Sequence, residues 1–312
     1  MYTKASVTRC PNDRAINDID RIVMKPDWRK IEQENQGLAV RSVCFLGEGW
    51  NTRAFMVNDE LVFRFPKRRD HWEELDREIK FLAFAHGKLP LAVPQYVTAM
   101  PDSPAAPCGY AAYRYICGQE MDLTTRAREK SAAAEAIATF LRTLHDLQPN
   151  PGVSSILPRE NERLVAEEYL ARAEREIVPK LPSSEANALR KQFETYLRAP
   201  QNFCFQPVVL HADLSKEHVL MKDGAIVGVI DFGDVNWGDP DYDFMYLFVD
   251  FGQTFIEEVA RKYGHPDIGQ LGGKLRFYGI VNEIDTILYG AERALVGQGK
   301  VAWRRLRNCL RN

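Results

Sequence analysis

Asp213 and Asp231 each stand where a short apolar run ends, in PVVLHAD and in AIVGVIDFGD. A hydroxyl nucleophile needs a carboxylate to orient it and take its proton. A nucleoside triphosphate arrives with Mg²⁺, which takes one or two carboxylates together with phosphate oxygens. Asp213 suits the first need and Asp231 the second. Taken singly, either is an ordinary aspartate at a loop end. Taken together, joined by a hairpin and with Gly233 just beyond Asp231, they are poorly explained as caps.

Further candidates lie upstream. In FLGEGWNTRAFMV, Gly47 and Gly49 flank Glu48. Glycine permits a tight turn and a close approach of backbone N–H groups to phosphate, although a plain hairpin turn would look the same. In LVFRFPKRRD, Arg64 sits between Phe63 and Phe65. Strand alternation sends it to the face opposite both rings. There it either meets an anion or lies on a solvated face, since a buried unpaired charge is costly. Lys67 is a second cation, and Glu78 could pair with either.

These residues need a frame. Residues 14–36 have the pattern of an amphipathic helix, followed by β-type runs LAVRSVCFLG, TRAFMVN and ELVFRF with Asn58-Asp59 as a hairpin turn. Residues 71–87 have helical spacing and end in Gly87, a C-cap. Two more β-type runs fall at 95–100 and 109–116. Beyond Gly118 the periodicity is helical over 129–147, 161–177, 184–198, 240–263 and 270–297, interrupted by the β-type runs PVVLH, HVLM and AIVGVID. The division expected is 1–115, a small sheet with a helix, and 116–312, mainly helical.

The totals agree with a globular chain. It has 312 residues, 45% hydrophobic and 27% charged, ample for a core. A net charge of −2 argues against a nucleic-acid partner. No secretory h-region and no run of about 18 apolar residues occurs, so a cytoplasmic protein without a membrane span is expected. The six cysteines lack C-x-x-C spacing, and reduced, mostly buried thiols are expected.

The ordered set LGEG, VFRFPK, REIKFL, YAAYRYICG, LHADLSKEHVL and GVIDFGDVNWGDPDYDF resembles the aminoglycoside phosphotransferase family, and within it the 2″-phosphotransferase branch. The resemblance implies an α+β, bilobal protein-kinase-like fold, with a β-rich N-lobe that binds nucleotide and a larger helical C-lobe with the catalytic loop. It implies transfer of the γ-phosphate of GTP or ATP, with Mg²⁺, to a hydroxyl of an aminoglycoside antibiotic by a monomer. Asp213 matches the catalytic aspartate, and Asp231 the metal-binding aspartate of D-F-G. His218 stands where most of the family has a metal-binding asparagine. Gly47 and Gly49 match the nucleotide loop. Arg64 aligns with the strand lysine of kinases and Glu78 with its helix partner. Whether Arg64 or Lys67 meets the phosphates stays open. Tyr113 limits the depth of the base pocket, and Arg114 to Ile116 offer backbone groups to the purine. His211 holds the loop backbone, while Asp239 and Asp243 brace the catalytic loop.

A polycationic substrate wants carboxylates. Asp250, Asp285 and Glu292 are the expected amine-binding residues, with Glu283 beside them. Asp285 and Glu292 share a helix face at two turns' separation. Each is equally compatible with a solvated helix face. Trp303 is either a stacking anchor for a sugar or core. The basic tail KVAWRRLRNCLRN suits a cationic ligand only if it faces away from it. The alternatives are a kinase for macrolides or another small molecule, whose site would be apolar with a single acid, and a nucleotide-binding pseudokinase-like module.

Overall fold

The structure is a computed structural model that describes residues 26–123, 127–292 and 296–311, without the side chains at 127–128, 291–292 and 296–298. Cys10 and residues 14–25 of the helix expected over 14–36 lie outside the described residues; its remainder contains the helix Trp28–Glu34. By internal contacts the chain forms two compact units. The first holds the described residues through Met121 together with Glu217–Asp234. The second holds Asp122–Lys216 and Val235 onward. The division expected at 115–116 cuts the chain once, whereas the contacts group the segment around Asp231 with the N-terminal sheet.

In the first unit α1 (Trp28–Glu34) precedes β1 (Val43–Glu48), β2 (Thr52–Val57) and β3 (Leu61–Pro66); α2 (Trp72–Ala85), β4 (Tyr96–Met100) and β5 (Tyr110–Arg114) follow. The five strands form one antiparallel sheet in the order β1-β2-β3-β5-β4. Asn58 and Asp59 both have φ of 57°, the left-handed pair that a two-residue hairpin turn requires. Gly87, with φ of 70°, ends α2 as expected. One sheet face is aromatic. Phe63, Phe65 and Tyr110 are buried there with Ile31 of α1. Trp28 meets Phe55, Phe63 and Phe65 edge-on, each at 5.7 Å. Full burial of such a side chain is worth about 1.5–3 kcal/mol, so this face is firmly committed to the core. The opposite face is left to Arg64 and Tyr113.

Five further strands follow in the chain: β6 (Gln119–Glu120), β7 (Val208–Leu210), β8 (Val219–Lys222), β9 (Ala225–Val229) and β10 (Asn236–Gly238). β6, β8 and β9 form a sheet of the first unit. A Cβ added at Gly228 would meet Ile116 Cγ2 at 2.9 Å and the Ala92 carbonyl at 3.0 Å. Only glycine allows that approach, which packs β9 against residues 92 and 116.

In the second unit β7 pairs with β10 among α3 (Ala127–His145), α4 (Pro151–Ser154), α5 (Glu162–Glu176), α6 (Ser183–Arg198), α7 (Met245–Phe251), α8 (Gln253–Tyr263), α9 (Ile268–Glu292) and α10 (Val296–Arg311). The single helix expected over 240–263 is instead a 3₁₀ turn, α7 and α8. Gly252 separates the two helices at φ of 79°. Tyr196 of α6 stacks on Phe277 of α9 with ring centroids 3.7 Å apart. The basic tail is helix α10, and Arg307 and Arg311 both bond Glu185 of α6.

The thiols depart from expectation. Cys117, Cys204 and Cys309 are exposed, Cys44 and Cys108 half-buried, and none of the five is in a disulfide. Cys108, Cys117 and Cys204 lie in loops, Cys309 on the surface of the C-terminal helix and Cys44 on edge strand β1, which accounts for this. No helix among the described residues is long and apolar enough to cross a membrane.

Candidate active site

The glycine turn of the first unit is tied down by side chains. Gly47 has φ of 156° and lies where the β1–β2 register shifts. Gly49 N–H donates to the Thr52 carbonyl at 2.9 Å, and Lys67 Nζ donates to the Gly49 carbonyl at 2.6 Å. Lys67 is also 3.4 Å from the Glu48 carboxylate. Two residues beyond Gly49, the Asn51 carbonyl accepts from Lys67 N–H at 2.8 Å and lies 3.1 Å from His71 Nδ1. Asn51 Nδ2 donates to Glu74 at 2.5 Å. Lys67 is thus engaged by the turn itself.

Arg64 is engaged differently. Nη1 donates to Glu78 Oε2 at 2.6 Å, and Nη2 donates to Asp231 Oδ1 at 3.0 Å and to Thr52 Oγ1 at 3.2 Å. The solvated-face alternative fails, because Arg64 is only 9% exposed. Burial opposes the guanidinium charge, but Asp231 and Glu78 hold its pKa well above the ordinary value. Burial pushes the Glu78 carboxyl up, Arg64 pulls it back and Asp231 pushes it up again. Removing one partner of such a buried pair costs about 3–5 kcal/mol.

Asp231 adopts φ of 64°, a conformation that non-glycine residues seldom take and that clusters at functional sites. Its Oδ2 lies 3.6 Å from His218 Nε2. Arg77 Nη2 donates to the Gly233 carbonyl at 2.9 Å, fixing the turn that follows. Burial, then Asp231 and Glu74, push the Asp234 carboxyl up to about 6. Among the described residues no cluster of three or more His, Cys, Asp or Glu could hold a metal unaided. One carboxylate and one imidazole together fit Mg²⁺ whose remaining ligands are phosphate oxygens, although imidazole is the less usual donor.

Tyr113 is buried on the Arg64 face. Its ring meets Tyr96 edge-on at 5.4 Å, and Tyr96 OH donates to Glu78 Oε1 at 3.0 Å. Arg114 pairs with Leu61 in the sheet, Tyr115 N–H donates to the Glu60 carbonyl at 2.8 Å, and Ile116 is half-buried. The segment assigned to the purine is therefore held at Arg114 and Tyr115.

In the second unit β7 runs into His211-Ala212-Asp213. Ala212 has φ of 65°. Asp243 accepts His211 N–H at 3.0 Å on Oδ2 and Ala212 N–H at 2.7 Å on Oδ1. Asp213 N–H donates to His211 Nδ1 at 3.2 Å. His211 and Asp243 thus hold the loop, as expected. Asp239 does not brace it. Asp239 caps its own turn through Asp241 N–H at 3.0 Å, accepts Tyr278 OH at 2.8 Å and pairs with Lys274 of α9.

The expected amine-binding acids have protein partners. Asp250 accepts Lys216 N–H at 2.9 Å. Asp285 accepts Tyr169 OH at 2.7 Å. Glu283 is buried 3.6 Å from Arg305. The side chain of Glu292 lies outside the described residues. Trp303 is half-buried on α10. Sequence reasoning missed Thr52, Tyr96, His71 and Glu74. Thr52 acts across strands, Tyr96 from a strand to α2, and His71 and Glu74 on the turn residue Asn51, contacts for which local spacing carries no signal.

A sheet with a glycine turn, a buried cation–carboxylate pair from strand and helix, and a carboxylate after a hairpin define a protein-kinase-like α+β fold. The chain belongs to the phosphotransferase enzyme family (APH), which residues 42–278 match. It is similar to the GDP and kanamycin complex of APH(2")-IIia, with 27% identity and a TM-score of 0.85 over 90% of this chain and 97% of that one. It is also similar to the gentamicin–APH(2")-IIa complex, with 25% identity and a TM-score of 0.73 over 91% and 97% of the two chains. The macrolide 2'-phosphotransferase MphH from Brachybacterium faecium, at 20% identity, shares the fold, with a TM-score of 0.70 over 88% and 96%.

Proposed function

We propose that this enzyme transfers the γ-phosphate of GTP or ATP to a hydroxyl of an aminoglycoside antibiotic. The observation that carries the reading is the Asp213 loop, held in an αL turn by both oxygens of Asp243. A loop so held presents one carboxylate in one place, which is what an acceptor hydroxyl requires. The similarity to two aminoglycoside-bound phosphotransferases supports the substrate class.

In this reading Asp213 orients the acceptor hydroxyl and takes its proton. Asp231 and His218 hold Mg²⁺, which when bound neutralises the phosphate oxygens. Gly47 and Gly49 let backbone N–H groups approach the phosphates. Arg64, kept in place by Glu78, supplies fixed positive charge, and Lys67 shapes the turn. Arg114 and Ile116 offer backbone groups to the base under Tyr113. Asp285 is the first amine-binding candidate, with Asp250, Glu292 and Trp303 completing the proposed set. The protein acts as a monomer in the cytoplasm.

Phosphoryl transfer measured against a panel of aminoglycosides and macrolides, with ATP and GTP in parallel, tests the reading. Transfer to aminoglycosides that fails without Mg²⁺ is expected. Transfer to macrolides alone would overturn the substrate class. Nucleotide binding without transfer to any acceptor would favour the binding module.

A further inference from the structure

His71 precedes α2 at the N-cap position and is 5% exposed, yet its side chain makes no capping bond. The ring turns instead to the glycine turn, with Nδ1 3.1 Å from the Asn51 carbonyl. A carbonyl only accepts, so Nδ1 carries the proton and donates. The other ring nitrogen, Nε2, is buried and has no hydrogen-bond partner among the described residues. A buried polar atom left unpaired costs free energy, and each such atom needs a reason. A phenylalanine would fill the same place without that cost. What the imidazole adds is the N–H aimed at Asn51.

The turn needs a footing. It joins β2 to β1, which is an edge strand whose register slips between Phe45 and Gly47. By contrast, α2 is anchored through buried Leu75, Phe81 and Leu82. Asn51 is the link between the two. Its carbonyl receives His71 Nδ1–H and Lys67 N–H, and its Nδ2 donates to Glu74 in the first turn of α2. We infer that His71 is a positioning residue for the nucleotide, fixing Asn51 against the start of α2 and so setting the glycine turn before phosphate arrives. A turn already ordered loses less freedom on binding, which favours affinity. The inference rests on the proposed use of this turn for phosphate, and His71 itself touches no reacting group.

Two substitutions separate the donor from the ring. His71→Asn places a side-chain N–H near the position of Nδ1. His71→Phe keeps a ring, lacks the donor and removes the unpaired Nε2. The readouts are GTP affinity with Mg²⁺ and no acceptor, amide hydrogen exchange at Lys67, kcat and KM for both substrates, and Tm. His71→Phe is expected to weaken GTP binding and raise its KM by about 3- to 10-fold, the scale of one hydrogen bond. Both kcat and the aminoglycoside KM should stay within about twofold, because the turn holds ground and transition states alike. Exchange at Lys67 should quicken, and His71→Asn should recover most of the loss. A fall in Tm with GTP affinity unchanged would make His71 a structural residue and overturn the inference. So would unchanged affinity and exchange in His71→Phe, or a His71→Asn as weak as His71→Phe. Should His71→Phe not fold, His71→Leu takes its place in the same comparison. An unaltered protein that binds GTP but phosphorylates no aminoglycoside would sink the proposed function alone, since affinity and exchange need no turnover.

Discussion

Arg64 donates to Asp231 at 3.0 Å, so the strand cation is bound to the very carboxylate assigned to the metal. The same guanidinium holds Glu78 at 2.6 Å, while Lys67 is spent on the Gly49 carbonyl. Arg64→Ala is expected to weaken the productive nucleotide complex more than Lys67→Ala does. Glu78→Ala should resemble Arg64→Ala, and the double mutant should lose less than the sum, as contacting residues do. Nucleotide titrations on the unaltered protein and the four variants check this, and strictly additive losses would mean that the pair does not act as a unit.

Asp213→Asn should reduce kcat by about 10²–10⁴-fold, the usual contribution of a positioned acid–base group. Nucleotide affinity should hardly change, since the carboxylate is assigned to the acceptor. Single-turnover rates and nucleotide affinity are the measurements. Near-normal turnover would remove Asp213 from the mechanism.

Tyr113 is pinned against Tyr96, so its ring cannot simply swing aside for a deeper base. GTP should serve at least as well as ATP. Tyr113→Ala should lower KM for ATP selectively, because the base contributes alike to ground and transition states. The truncation also opens a buried cavity, at a stability cost of about 3–5 kcal/mol for an aromatic, so assays belong well below the mutant's Tm. An enzyme that strongly prefers ATP and ignores the substitution refutes this.

Burial pushes the Glu162 carboxyl from 4.5 up to about 7, with Asp239 and Glu160 adding to the effect and Lys274 opposing it. The native state therefore holds this proton more tightly than the unfolded chain. Its stabilising contribution is complete below about pH 4.5 and is lost as pH rises through about 7. Thermal melts at pH 5 and pH 8 should show Glu162→Gln gaining on the unaltered protein at the higher pH. Parallel pH profiles would contradict the assignment.

The hairpin at Asn58-Asp59, the helix ending before Gly87 and the loops carrying Asp213 and Asp231 were legible in the sequence. Each is written in local spacing and turn chemistry. The broken helix at 240–263 was not, because a lone Gly252 inside an apolar periodicity does not announce its φ. Nor was the engagement of Asp250, Asp285 and Glu283. Their charges are plain in the sequence, but their partners Lys216, Tyr169 and Arg305 are long-range or backbone groups that periodicity cannot supply. Arg64 was visible as a cation in a strand, yet its threefold contact with Glu78, Asp231 and Thr52 arises only when separate segments are packed.

Glu217–Asp234 belongs to the first unit although nearly a hundred residues of the second precede it. The order of synthesis therefore differs from the order of assembly. The ribosome releases α2 long before Phe232, whose ring comes to rest 5.9 Å from Phe81. At roughly 5–20 residues per second the delay is on the order of ten seconds. During that interval Arg64 and Glu78 exist without Asp231, and Ala92 exists without β9. The nascent first unit thus waits, incomplete, for a segment encoded far downstream.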